Sequence, residues 1–451
     1  MSVLGAQVVE RDDSVIRQPP EPRPPWHPLA RLGFRFCFAY FTLFCLIFAQ
    51  ILYVFTGLAG AALLPDDAVQ WQMQQLAPLA SWVGEHVFGV DAVLHDSGSG
   101  DQLVIWVLIA MMLALAAAIT AIWTLLDRRR GDYRVLSVWF VTGIRLCVGG
   151  QLLWYGWAKL VPNQMPYPSL TMLLQPYGNL TKIDVLWNQV GVSPAYQILL
   201  GAAEVVAGLL LFLPRTATLG GMIGLISMLQ VFLLNMTYDV PVKILSFHLV
   251  LMSLIVLAPQ LRRIMDFLVL QRTTDPATQR PLFRGRRAER VAVVVQVLLG
   301  LWVTSACVHD AYRSWNEWGY GAPEPALYGI WAVTEFSRDG QPLPPLTTDE
   351  HRWQRLVVDK GFLTYQRMDG TLVPGLGEVD AAARTVTLTG PPESAAPVAR
   401  LAFEEPAAGQ LILRGEIQGH PVTVTLRKQD PGEFRLRGPG FHWVQDVPAL
   451  N

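Results

Sequence analysis

The sequence predicts a multi-span α-helical membrane protein of about seven transmembrane helices that ends in a C-terminal all-β domain. Three observations predict it. Hydrophobic residues make up 52% of the 451 residues and charged residues only 16%, whereas soluble chains carry about 25% charged residues. Seven apolar runs, at 36–64, 103–126, 135–160, 195–214, 217–237, 240–258 and 291–308, are each long enough to cross a ~30 Å hydrocarbon core at 1.5 Å per residue. After Trp315-Asn316-Glu317-Trp318 the pattern changes to short alternating runs such as Val422-Thr423-Val424-Thr425-Leu426, the period of a half-buried strand.

Residues 1–30 are rich in Pro, Arg and acidic groups and read as a disordered cytoplasmic tail. The first run is expected to be a retained helix, because it is too long for a signal peptide. Arginines fix the orientation. They occupy the tail (Arg23, Arg31, Arg35), the loop after the second run (Arg128, Arg129, Arg130, Arg134), Arg215, and a basic stretch between the sixth and seventh runs (Arg262, Arg263, Arg272, Arg280, Arg284, Arg286, Arg287, Arg290). The alternate loops hold only Lys182. By the positive-inside rule the N-terminus is cytoplasmic and the C-terminal domain is periplasmic, in a bacterial inner membrane. The expected segments are a helix pair with an extracytoplasmic loop at 31–130, a four-helix bundle at 131–262, a basic loop and seventh helix at 263–313, and the β-domain at 318–451.

Turn signals at Asp369-Gly370, Gln418-Gly419 and Asp430-Pro431-Gly432 separate about eight or nine strands, which suggests a small up-and-down barrel. Gly329-Ile330-Trp331 resembles the start of lipocalin-like barrels, with Trp331 read as a core plug. His351, His420 and His442 are unclustered and form no catalytic constellation.

A net charge of -1 argues against nucleic acid as a partner. Cys37, Cys45, Cys147 and Cys307 all fall in apolar segments without a CxxC pair, so they read as buried hydrophobes. No spacing of His, Cys, Asp or Glu matches a metal site, and no flavin, haem or iron–sulfur motif is visible.

Ionisable residues at bilayer depth are costly and face bundle interiors or cavities. Counted from the predicted cytoplasmic ends, Arg145, Glu204 and His248 lie about ten or eleven residues in, with Ser227 and Gln230 at similar depth. The expectation is a polar midplane layer in which Arg145 pairs with Glu204, either as a structural lock or, with His248, as proton-exchanging groups. A second layer lies at the outer end. Lys159 is expected to approach Asp239, with Lys243 as a second partner of the carboxylate and Asn235 and Tyr155 nearby. A loop at 162–194 rich in Pro, Met, Leu and aromatics would roof a lateral pocket there. The alternative for Lys159 and Lys243 is snorkelling to headgroups. Gly149, Gly156, Gly201, Gly208, Gly220 and Gly224 recur at helical spacing and allow close helix approach.

Three stretches carry a family resemblance: Tyr155-Gly156-Trp157-Ala158-Lys159-Leu160; Gly201-Ala202-Ala203-Glu204-Val205-Val206-Ala207-Gly208 with Pro214-Arg215; and Asn235-Met236-Thr237-Tyr238-Asp239-Val240-Pro241-Val242-Lys243 with Ser246-Phe247-His248. Across about residues 135–260 the chain resembles the DoxX/DoxD-like membrane family, which is built on a four-helix bundle. That resemblance implies a quinone-associated subunit of a redox complex, with quinone as cofactor and electrons supplied by a partner subunit. The competing expectations are a transporter or channel, and a non-enzymatic anchor that displays a periplasmic binding barrel.

Overall fold

A computed structural model of the chain describes residues 24–65, 67–274, 280–389, 397–437, 443–444 and 446. The expectations for Arg23, for His442 and for the tail up to residue 23 fall outside these residues.

Among the described residues, seven helices are long and apolar enough to cross a membrane, so the chain is a multi-pass membrane protein. They are α1 (Pro28–Ile47), α5 (Leu103–Leu126), α6 (Arg134–Leu160), α8 (Pro194–Phe212), α9 (Ala217–Thr237), α10 (Lys243–Leu257) continued by α11 (Leu261–Leu268), and α12 (Arg286–Glu317). Shorter helices join them: α2 (Ala49–Tyr53), α3 (Gly57–Leu63), α4 (Ala68–Val83) and α7 (Lys182–Gly191). The expected first run therefore divides. Its helix stops at Phe48, whose φ of -83° and ψ of 83° are not helical. Gly57 then takes a φ of +60° with the Trp302 indole against it, and Trp302 Nε1 donates to the Phe55 carbonyl at 3.1 Å. A side chain at Gly57 would meet that ring, so only glycine suits the turn.

Helices α6, α8, α9 and α10 form the four-helix core: α8 packs on α6 and α9, and α10 on α9 and α6. The α1–α5 pair lies against one side, and α12 packs on α6 and α8. The close approach of α6 and α8 rests on a seam of glycines. A Cβ on Gly201 would strike the backbone of Gly156, Lys159 and Leu160, and one on Gly208 would come within 3.0 Å of the Gly149 carbonyl.

The arginine-bearing loops gather at one end of the bundle. There the Trp26 N–H donates to the Gly131 carbonyl at 3.0 Å, and Arg31 donates to the Arg130 carbonyl at 2.8 Å. Arg35 is not a flanking surface charge. It is buried, donating to the Tyr133 hydroxyl, Thr124 Oγ1 and the Asp127 carbonyl at 2.6–2.9 Å.

At the opposite end sits a closed, eight-stranded antiparallel barrel. Its strands are β1 (Gly329–Arg338), β3 (Trp353–Asp359), β4 (Phe362–Arg367), β5 (Leu372–Asp380), β6 (Thr385–Thr389), β7 (Pro397–Glu404), β8 (Gln410–Ile417) and β9 (His420–Gln429). They pair in sequence order, and β1 pairs with β9 to close the sheet. The two-residue β2 (Gln341–Pro342) only extends the turn after β1. Inward residues such as Trp331, Leu356, Leu401, Leu413 and Val424 fill the interior. Trp331 is 2% exposed and its Nε1 donates to the Leu327 carbonyl at 2.7 Å, as expected of a core plug.

The barrel is seated on the loop between α6 and α7. On its outer surface the cross-strand pair Ile330 and Val357 is fully buried beneath Leu170. The Leu170 N–H donates to Asp359 Oδ2 at 2.9 Å, and Arg437 donates to the Pro168 carbonyl at 3.1 Å while stacking on Tyr167.

The glycine seam yields a test. Gly201→Val should drive Cγ atoms into the backbone of α6 and lower stability by about 1–3 kcal/mol or more. Gly143→Ala, on the same helix as Lys159 but with nothing within 4 Å of its added Cβ, should leave the melting temperature of detergent-purified protein unchanged. Equal effects would remove the seam as the determinant of packing.

Candidate functional site

The charge that meets Glu204 is Lys159. Lys159 Nζ lies 2.8 Å from Glu204 Oε2 and 3.1 Å from Oε1. The two side chains are 6% and 3% exposed. The third ammonium proton is directed at the Tyr155 carbonyl at 3.5 Å, and the Tyr155 ring lies 5.8 Å away. Lys159 sits near the C-terminal end of α6, where helical Cα–Cβ bonds tilt toward the N-terminus. Its long side chain therefore runs back into the bundle rather than out to headgroups, and the snorkelling alternative does not hold.

The expected Arg145–Glu204 pair is not formed. Gly149 lies against Gly208, Leu211 and Phe212, so Arg145, four residues earlier, is level with the end of α8. Glu204 is eight residues, about 12 Å, further along that helix. Equal counts from the two helix ends do not give equal depth, because α6 begins well beyond the end of α8. Arg145 instead donates to Gln296 Oε1 on α12.

Lys159 and Asp239 do not meet either. Asp239, in the left-handed region at φ 56°, has a 78% exposed side chain and pairs with Lys243 at 2.9 Å, the partner expected as its second. That hydrogen bond and charge hold the Asp239 carboxyl below the usual carboxylate range. Its stabilisation is present above the ordinary range and is lost as pH falls through the lowered value. Sequence reading missed Asp101, whose carboxylate accepts the Lys243 and Ile244 N–H groups at 2.8 and 2.9 Å. It thereby caps α10 from a loop 142 residues away.

His248 is not brought to Glu204. It faces α1, where Phe44 stacks on it at 4.0 Å. Its Nδ1 lies 2.6 Å from the Ile244 carbonyl and its Nε2 2.7 Å from the Tyr40 hydroxyl. A carbonyl only accepts, so Nδ1 carries a proton that it donates to Ile244, and Nε2 is left to the Tyr40 hydroxyl.

What the fold does assemble is a cavity of about 100 Å³ beside the ion pair. Lys159, Glu204, Tyr155 and Asn235 line it, and Leu186, Trp187 and Val190 of α7 and Met165 of the preceding loop cover it. This is the roof that the loop composition predicted. Asn235 Nδ2 donates to Ser246 Oγ at 3.0 Å, and that hydroxyl donates on to the Val242 carbonyl at 2.9 Å. The roof is pinned by Gln197, fully buried on α8, whose amide donates to the Met165 carbonyl at 2.7 Å and accepts from its N–H at 3.0 Å. Gln164 lines the cavity with Oε1 buried and, among the described residues, without a hydrogen-bond partner. Gln230, exposed on α9 between the lipid-facing Leu229 and Leu233, also lines it, so the cavity reaches the side of the bundle. Ser227 is not among the lining residues.

Removing one partner of a buried pair leaves an uncompensated charge, at a cost of about 3–5 kcal/mol. Lys159→Met and Glu204→Gln should each lower the melting temperature strongly, and the double variant should recover most of the loss. A double variant no more stable than either single would sink the pairing.

No family model matches the chain, and no solved structure matches it. A relative in Bacillus subtilis (strain 168), whose name is "Uncharacterized protein YwoB", is 31% identical over 121 residues, which are 27% of this chain and 77% of that protein. At that identity and coverage the chain belongs to the same family as YwoB.

Proposed function

We propose that the chain is a quinone-associated membrane subunit of a redox complex, with the cavity at Lys159 and Glu204 as its ligand site. The single observation that carries this reading is a buried ammonium–carboxylate pair facing a laterally open cavity whose lining is otherwise mostly apolar. The donor set fits a ring bearing carbonyl or hydroxyl oxygens. Lys159 can donate to a carbonyl oxygen, and Glu204 and the unpartnered Gln164 Oε1 can accept from a hydroxyl. A cavity of about 100 Å³ takes the polar edge of a single ring, since an engineered cavity of about 150 Å³ holds benzene. The apolar remainder of the ligand would extend past Gln230 into lipid.

A bound quinone supplies two-electron, two-proton redox capacity, with electrons from a partner subunit. The protein's share is local. Lys159 would orient a carbonyl by donating to it at Nζ, the Glu204 carboxylate would take a proton from a hydroxyl, and the α7 roof excludes water so that these charges act in low dielectric. The resemblance of the bundle to DoxX/DoxD-like proteins supports the same reading by analogy. The barrel interior, filled by its own side chains, favours the helix bundle over the barrel as the binding element.

The orientation belongs to the same proposal. The N-terminus and arginine-rich loops lie in the cytoplasm and the barrel in the periplasm of a bacterial inner membrane, in keeping with all these arginines gathering at the end opposite the barrel. A reporter active only outside the cytoplasm should be active when fused after Asn451 and silent when fused after Arg129; the reverse pattern would invert the topology.

Protein purified in mild detergent should carry a quinone detectable by mass spectrometry. The Lys159→Met/Glu204→Gln double variant should remain folded and lose it. A folded wild type without quinone, or a double variant that retains it, would refute the assignment.

A further inference from the structure

A second cavity, of about 690 Å³, lies at the arginine-rich end of the bundle, the end away from the Lys159–Glu204 pair. It falls within the about 300–1,000 Å³ typical of ligand pockets. Helices α6, α9, α10 and α12 bound it, together with the stretch at 280–282. Its charged lining is Arg134, Arg145 and Arg280 against the single carboxylate Glu289.

The electrostatics are incomplete as they stand. Arg145 is 5% exposed, and among the described residues its guanidinium is bound to one neutral acceptor, Gln296 Oε1. Gln296 is itself buried and fixed, with Nε2 donating to the Ala292 carbonyl at 2.9 Å. A guanidinium carries five N–H donors and an obligatory charge, and at bilayer depth an arginine without a counter-charge is costly. At this end Asp132 is paired with Arg134 at 3.2 Å and Glu289 Oε2 accepts from the Phe283 N–H at 3.0 Å, and among the described residues no carboxylate is within ion-pair distance of Arg145. Gln296 fixes the guanidinium and leaves its charge uncancelled, which is the arrangement of a binding group rather than of a closed structural pair.

We propose that this cavity binds a phosphate group, with Arg145 as the buried anchor and Arg134 and Arg280 at the rim. A planar guanidinium fork matches phosphate oxygens in bidentate fashion. The phosphate could belong to an anionic lipid headgroup, given a cavity at the end of a membrane helix bundle, or to a free phosphate.

Thermal unfolding of delipidated protein in a phosphate-free detergent buffer tests this and separates the sources. The three additives are phosphatidylglycerol, phosphatidylcholine and inorganic phosphate. A saturating ligand should raise the midpoint by roughly 5 °C. A rise with phosphatidylglycerol alone identifies the lipid headgroup, and a rise with inorganic phosphate identifies a free phosphate. Arg145→Gln should abolish the rise, and Arg145→Lys, which keeps the charge but not the fork, should weaken the apparent affinity about 10- to 100-fold. Wild-type protein that responds to neither phosphatidylglycerol nor phosphate overturns the proposal, even if the variants do not fold. So does a response that Arg145→Gln retains in full.

Discussion

The Lys159–Glu204 ion pair joins the third and fourth spanning helices where water cannot screen or solvate either charge. Each ion alone would cost several kcal/mol in that setting, so the fold is committed to bringing them together. The glycines make this possible. Gly156 and Gly201 let the two backbones approach until a lysine at the end of one helix reaches a carboxylate about three turns into the next. With Tyr155 over the ammonium and Asn235 fixed on Ser246, the pair forms the polar wall of a cavity whose remaining lining is mostly apolar.

The loop after α6 binds the two halves of the molecule. Its Gln164 and Met165 close the cavity, and Gln197 pins Met165 from within the bundle. A few residues on, Tyr167, Pro168, Leu170 and Thr171 make the barrel's seat through stacking, buried apolar contact and hydrogen bonds. Any displacement of the barrel would pull on the segment that roofs the cavity. The barrel's interior is packed, and its outer pair Ile330–Val357 makes the apolar contact with the loop.

The two ends of the bundle solve the problem of buried charge differently. At the barrel end lysine and carboxylate neutralise each other. At the arginine-rich end Arg145 is fixed by a neutral amide and keeps its charge. Between them His248 is hydrogen-bonded to a carbonyl and a tyrosine hydroxyl among aromatic rings. The three groups that looked like one polar layer are thus three separate environments.

The membrane class, the helices and the barrel were legible in the sequence because hydrophobic length and period are local properties: seven apolar runs, and alternation after Trp318. The roof loop was legible in its composition, and the Asp239–Lys243 contact in its i, i+4 spacing. Partner choice across helices was not. Glu204 meets Lys159 rather than Arg145 because α6 and α8 are staggered and because a lysine near a helix end points back along the helix. The glycines at 156 and 201 were the available sign of that register. The roles of Gln296, Tyr40 and Asp101 were decided by tertiary structure alone. Each is an ordinary polar residue in its own segment, and each acquires its function only when a helix or loop about 140–210 residues away in the chain is packed against it.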